Sequence, residues 1–202
     1  MYQWGILPRE FSGLRGILIW PLLHGSWEHL FSNFFPLIVL TGMIGVFYPK
    51  AFWPVWLGSY LIPGIWLWAA GPSGTYTIGA SGMVYALAFF LVFTGIFHRK
   101  PRQLIVSLLV IFLYGGMVWG LLPLDPHVSW QGHLFGAISG ILLAYYFRKI
   151  TQPDTGPTYA WENEPDQSPE DVIAPWNLDA WGPPPEGFNY SQQDHGTKKG
   201  TD

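Results

Sequence analysis

Five side chains in this sequence have the types and spacing for acyl transfer. Ser81 sits in Gly79-Ala80-Ser81-Gly82, and His133 in Gly132-His133-Leu134-Phe135-Gly136. His24, His29 and Asn33 follow one another at short intervals near the N-terminus. A serine hydroxyl is a weak nucleophile and needs a base to take its proton, and histidine is the commonest base at neutral pH. The tetrahedral intermediate then needs hydrogen-bond donors aimed at its oxyanion. Asn33 offers an amide, His29 a ring N–H and Ser81 its own backbone N–H. His29 and Asn33, four residues apart, share one helix face. Gly79 and Gly82 let a substrate backbone come close to the serine. Tyr85, one turn after Ser81, is placed to pack on the His133 ring. The pattern predicts Ser81 Oγ within hydrogen-bond reach of His133 Nε2, about 2.6–3.5 Å. No Asp or Glu shares their level, so a Ser–His dyad is expected rather than a triad. Asp125 reaches His133 only if its loop folds inward. Taken singly, each residue has an ordinary structural explanation, since polar side chains often tie membrane helices together. The serine motif is also not the soluble-hydrolase elbow, because Met83 stands where a second glycine belongs and no strand precedes it.

These residues must be positioned by membrane helices. The chain has 202 residues, 50% hydrophobic and only 11% charged, against roughly a quarter charged in a soluble domain. Five apolar stretches, over 29–48, 51–70, 78–97, 103–122 and 130–147, contain no Asp, Glu, Lys or Arg. Each approaches the roughly 20 residues a helix needs to cross a bilayer. A further apolar stretch over 13–23 is too short to span. The first, third and fifth stretches run in the same direction and carry His29, Asn33, Ser81 and His133 near their starts. At about 1.5 Å rise per residue, the four lie within about 6 Å of one depth. Gly136 and Gly140 on the fifth stretch, and Gly82 and Ala86 on the third, give the small faces that close approach in lipid requires.

The charges set orientation. Residues 1–150 carry three acids and eight bases, a net +5, whereas 151–202 carry ten acids and two bases, a net −8. Lys50, the run Arg99-Lys100-Pro101-Arg102, and Arg148-Lys149 follow the first, third and fifth stretches. Basic loops lie on the cytoplasmic side, so the reactive level is expected near the outer face and the C-terminus inside. The organisation expected is an outer loop segment over 1–28, a transmembrane core over 29–150, and a disordered, acidic, Pro-rich cytoplasmic tail over 151–202. There are no cysteines, and no cleavable signal peptide is evident because Arg9 and Glu10 interrupt the N-terminal apolar run. The chemistry calls for no cofactor and no metal.

His24-x4-His29-x3-Asn33, Gly79-Ala80-Ser81-Gly82 with Tyr85, and Gly132-His133-x2-Gly136-x3-Gly140 occur in the order seen in the rhomboid family of intramembrane serine proteases, which the chain resembles over about 5–148. The resemblance implies an all-α polytopic bundle with Ser81 as nucleophile and His133 as general base. His29, Asn33 and the Ser81 amide would form the oxyanion site, with His24 in support. It also implies single-pass membrane proteins as substrates, cut near the ends of their transmembrane segments, and a place in a membrane such as the bacterial cell membrane, with no nucleic-acid partner. The family's first span, which precedes the His-containing helix, has no counterpart. Either the N-terminus is truncated, or residues 1–23 stand in its place. Gly132 replaces an alanine common in the family. The competing readings are a catalytically silent rhomboid-like protein that binds membrane clients, and a small transporter. A transporter predicts polar residues through the full depth, whereas the inner halves of these stretches are almost purely apolar.

Overall fold

The computed structural model describes residues 2–125 and 128–151. Except for Thr151, the tail expected over 151–202 lies outside the described residues. Among them the chain is helical: a one-turn helix α1 (Gly16–Ile19), then α2 (Trp27–Phe47), α3 (Phe52–Ala70), α4 (Ser81–His98), α5 (Pro101–Tyr114) and α6 (Trp130–Tyr146). Five long helices thus stand where five apolar stretches were expected. Three are long and apolar enough to cross a membrane on length and composition alone: α2, α4, and α5 with its 3-10 continuation to Leu121. α3 is a continuous helix of 19 residues with Pro63 and two glycines inside it, and α6 has 17.

Boundaries follow local chemistry. Ser26 caps α2, its hydroxyl accepting the His29 N–H at 3.1 Å, and so satisfies a first-turn donor that has no intrahelical partner. Ser129 caps α6 in the same way through Gly132 N–H. α4 begins at Ser81 rather than at residue 78, because Gly79 adopts φ +106°, a region side-chain-bearing residues rarely enter. The α-helix of α5 stops at Tyr114 where Gly115-Gly116 follow, and the chain winds on as a 3-10 helix over Gly115–Leu121. Glycine is among the poorest helix formers, and this change of winding shapes the site described below.

α4 is the central helix, with 11 of its 18 residues buried. α6 lies along it at backbone contact. A Cβ added at Gly136 would fall 2.2 Å from the Gly82 carbonyl oxygen, and one at Gly140 would fall 2.2 Å from that of Ala86. α5 packs on the other side, where the Ser107 hydroxyl donates toward the Leu91 and Val92 carbonyls of α4. The main core gathers Leu40, Ile44, Val55, Leu87, Phe90, Leu91 and Val106. Residues 2–23 form short 3-10 turns and α1 instead of a span, and they are tied to the bundle. Trp68 Nε1 donates to the Glu10 carbonyl at 2.9 Å, Arg9 donates to Gly71, and Ile6 forms a two-way backbone bridge with Thr77. Ile6, Ile17 and Trp20 make a second small core with Leu67. The segment belongs to the same compact unit as the bundle, Met1–Pro153.

Candidate active site

The N-terminal ends of α2, α4 and α6 surround an open polar cavity of about 620 Å³. Ser81, His133, His29 and Asn33 all line it, so the four residues expected at one depth do converge.

His133 is the most constrained of them. It is buried at 8% exposure in the first turn of α6. Its Nδ1 lies 2.8 Å from the Gly120 carbonyl oxygen. A carbonyl only accepts, so Nδ1 carries the proton and the neutral ring keeps a lone pair on Nε2. The ring stacks on Tyr85 with centroids 4.3 Å apart and an interplanar angle of 10°. Tyr85 is itself held by Oη–H donated to the Met117 carbonyl at 2.5 Å. The 3-10 segment therefore fixes the imidazole twice, once directly through Gly120 and once through Met117 and Tyr85. Nothing in the residue types announced the Gly120 contact. The only signal was three glycines, Gly115, Gly116 and Gly120, in an otherwise apolar stretch. Asp125 does not occupy this role, because Nδ1 is already engaged by a backbone oxygen.

Ser81 is the first residue of α4 and half-buried. The helix's own bonding starts with Val84 N–H to Ala80, so the amides of Ser81, Gly82 and Met83 lack intrahelical acceptors. They give the serine surroundings a partial positive charge. No hydrogen bond joins Ser81 to His133 at rest, in contrast to the bond expected from the sequence. The His133 ring is pinned by Gly120 and Tyr85, whereas the serine hydroxyl swings about a single torsion. Such bonds often close only when substrate is bound.

The other residues sit around this pair. Asn33, 5% exposed, donates one amide hydrogen to the His29 carbonyl at 2.8 Å and retains a second. The His29 ring rests over Gly79, where an added Cβ would lie 2.6 Å from its Nε2. His24 meets His29 edge-on with centroids 5.0 Å apart, and its ring nitrogens are buried. Burial, and next the neighbouring His29, push the His24 imidazole below its ordinary value. Trp20, missed by the sequence reading, lies beneath the serine turn: its carbonyl accepts Gly79 N–H at 2.9 Å, and its ring abuts Gly82. Among the described residues, no three His, Asp or Glu side chains gather as a metal site would need.

A family model described as "Rhomboid domain" matches residues 12–150. Proteins described as uncharacterised from Mycobacterium tuberculosis and Mycobacterium bovis are each 40% identical over 152 residues, covering 70% of this chain and 62% of theirs. One from Mycobacterium leprae is 40% identical over 152 residues, covering 70% of this chain and 59% of its own. The chain thus spans less than two thirds of the length of these curated relatives. No solved structure matches it.

Proposed function

Because this chain belongs to the rhomboid family, we propose that it is an intramembrane serine endopeptidase that cuts single-pass membrane proteins with a dyad of Ser81 and His133. The carrying observation is the His133 ring, held by Gly120 and Tyr85 so that its basic nitrogen is the one left available in the cavity that Ser81 lines. In the first step His133 Nε2 takes the Ser81 proton while Oγ attacks the scissile carbonyl. The free amides at the start of α4, the second Asn33 hydrogen and the His29 ring receive the oxyanion. His133 then protonates the leaving amine, and water drawn through the polar cavity hydrolyses the acyl-enzyme.

The Ile6–Thr77 bridge uses both backbone groups of Thr77. In an extended stretch the groups of Tyr76 and Ile78 point to the opposite edge, and both residues line the cavity. A locally unwound substrate would add there as a strand. The basic residues at the far helix ends support an outward-facing site and a cytoplasmic C-terminus, and the mycobacterial relatives support a bacterial cell membrane.

A silent, client-binding rhomboid is the second reading, and the absence of a hydrogen bond between Ser81 and His133 at rest is what favours it. A fluorophosphonate probe separates the two. We expect it to label Ser81 in the wild type and to fail on Ser81→Ala and His133→Ala, with cleavage of a transmembrane reporter lost in both variants. A folded wild type that neither labels nor cleaves selects the silent reading.

A further inference from the structure

The site's charge lining carries an inference about which substrates it takes, and it rests on the reading of Ser81 as nucleophile. The catalytic cavity adjoins a second one of about 400 Å³. The two share Tyr76, Thr77, Val128 and Ser129. Together they make a polar trough that runs from the first turn of α2, past Ser81 and His133, to the loop before α6. Each cavity has one charged residue other than histidine in its lining, Glu28 in the first and Asp125 in the second. Among the described residues no Lys or Arg lines either cavity. Yet residues 1–150 hold eight bases and only three acids. The two bases on the N-terminal segment are turned elsewhere. Arg9 donates to the Gly71 carbonyl, and Arg15 donates to Gln3 and stacks over Trp4 at 4.3 Å. The catalytic cavity therefore presents the Glu28 carboxylate in a core that is otherwise basic.

We propose that this trough selects substrates bearing a lysine or arginine within a few residues of the scissile bond on the aqueous side. Glu28, in the lining of the catalytic cavity, is the specificity-determining residue. A peptide extended at about 3.3 Å per residue places such a side chain near a carboxylate within two or three residues of Ser81. A carboxylate attracts a lysine and repels a glutamate at the same position. At the roughly 6 Å separations of an open, wet trough, this amounts to about tenfold between the two, and salt weakens it. Glu28 has a second, simpler role, since an acid in the first turn of α2 complements the helix dipole. That role alone predicts a loss of stability on substitution and no change in charge preference.

The test uses the full chain in detergent at low salt. Its substrates are transmembrane reporter peptides identical except for Lys, Gln or Glu at each of the first few positions on the aqueous side of the cut. Cleavage is measured with the wild type, and binding with Ser81→Ala. The expected result is Lys over Glu by about tenfold in kcat/KM and in Kd, narrowing in high salt. The ratio should fall to about twofold in Glu28→Gln. Because the readout is a ratio within one preparation, a partly unfolded variant does not distort it. Equal handling of Lys and Glu, a preference for Glu, or a ratio that survives Glu28→Gln overturns the proposal. Cleavage without charge preference would leave the protease reading standing and remove this one. Charge-selective binding without cleavage would do the reverse.

Discussion

The carbonyl that orients His133 comes from a glycine, and replacing Gly120 with alanine tests how the base is held. A Cβ there would lie 2.1 Å from Tyr85 Oη and 3.1 Å from His133 Nδ1. Ordinary contact begins near 3.4 Å, so one side must yield by about 1.3 Å. Gly120 does not have positive φ, so backbone strain plays no part and the effect is steric. If Tyr85 yields, it loses the 2.5 Å bond to Met117 and the stack on His133. If Gly120 yields, its carbonyl leaves Nδ1. Either way the imidazole is misplaced on the ångström scale, which costs about 10²-fold in rate. Overpacking of this kind costs about 1–3 kcal/mol of stability, which leaves a stable bundle folded. The expected outcome for Gly120→Ala is therefore a fall of about 10²-fold in kcat/KM on a transmembrane reporter in detergent, with matching slower fluorophosphonate labelling. Adding Tyr85→Phe removes the clashing oxygen and keeps the ring. The double variant should regain about tenfold over Gly120→Ala, although Tyr85→Phe alone costs one hydrogen bond of about 1 kcal/mol. A Gly120→Ala enzyme within about threefold of wild type, or no rescue by Tyr85→Phe, refutes this account of the base.

Further outcomes follow from the same contacts. Gly136→Val should lower the unfolding temperature and abolish cleavage, because the added carbons meet the Gly82 carbonyl 2.2 Å away and force the two site-bearing helices apart; thermal melts and reporter cleavage read both. Gly79→Ala combines a left-handed φ of +106° with a clash on the His29 ring, and should cost about 1–3 kcal/mol along with most of the activity. Asn33→Ala should retain measurable cleavage, since one oxyanion donor is worth about 10²–10³ in rate and others remain. His24 is depressed below its ordinary 6.5 in the folded chain, so the unfolded chain binds more protons. Stability contributed by the neutral ring is present above about pH 6.5 and is lost as pH falls toward the folded value; melts from pH 8 to 5 should show this, and His24→Phe should flatten the slope. Removing the tail after Lys149 also removes Thr151, which is 3% exposed and 2.8 Å from His98 Nε2 at the end of α4. That cut should melt a few degrees below a cut after Pro153, by about one hydrogen bond.

The parts of the site that were legible in the sequence are those set by residue type and spacing. Apolar length gave the helices, and the shared direction of the first, third and fifth gave the common level of His29, Asn33, Ser81 and His133. Small residues at Gly82, Ala86, Gly136 and Gly140 gave the face along which α4 meets α6. What stayed hidden depends on backbone direction. The stop at Gly79 moves Ser81 to the first residue of α4, and only a positive φ, not a composition, specifies it. The Gly120 and Met117 carbonyls are backbone atoms, and no side chain marks where a 3-10 segment will aim them. Trp20 looked like one more aromatic in an apolar loop. Its value to the site lies in a carbonyl that catches Gly79 and a ring that fills the space beside Gly82.

The two halves of the site are held with very different stiffness. Ser81 and His133 ride on α4 and α6, whose backbones touch at Gly82–Gly136 and Ala86–Gly140 and have no side chain between them to relax. Interiors packed this closely transmit displacement rather than absorb it. His29 and Asn33 ride on α2, where only four of 21 residues are buried, Asn33, Leu40, Met43 and Ile44. A stiff pair keeps nucleophile and base in register, while a loosely packed neighbour can shift to receive an oxyanion that exists only during reaction. Replacing Ser81, His133 or both should therefore cost about the same, all or none, since the dyad needs both partners. Changes that loosen α2, such as Leu40→Ala, should lower kcat in graded steps while labelling of Ser81 persists. If Leu40→Ala instead abolished labelling outright, α2 would be part of the rigid frame and the division drawn from its sparse burial would be wrong.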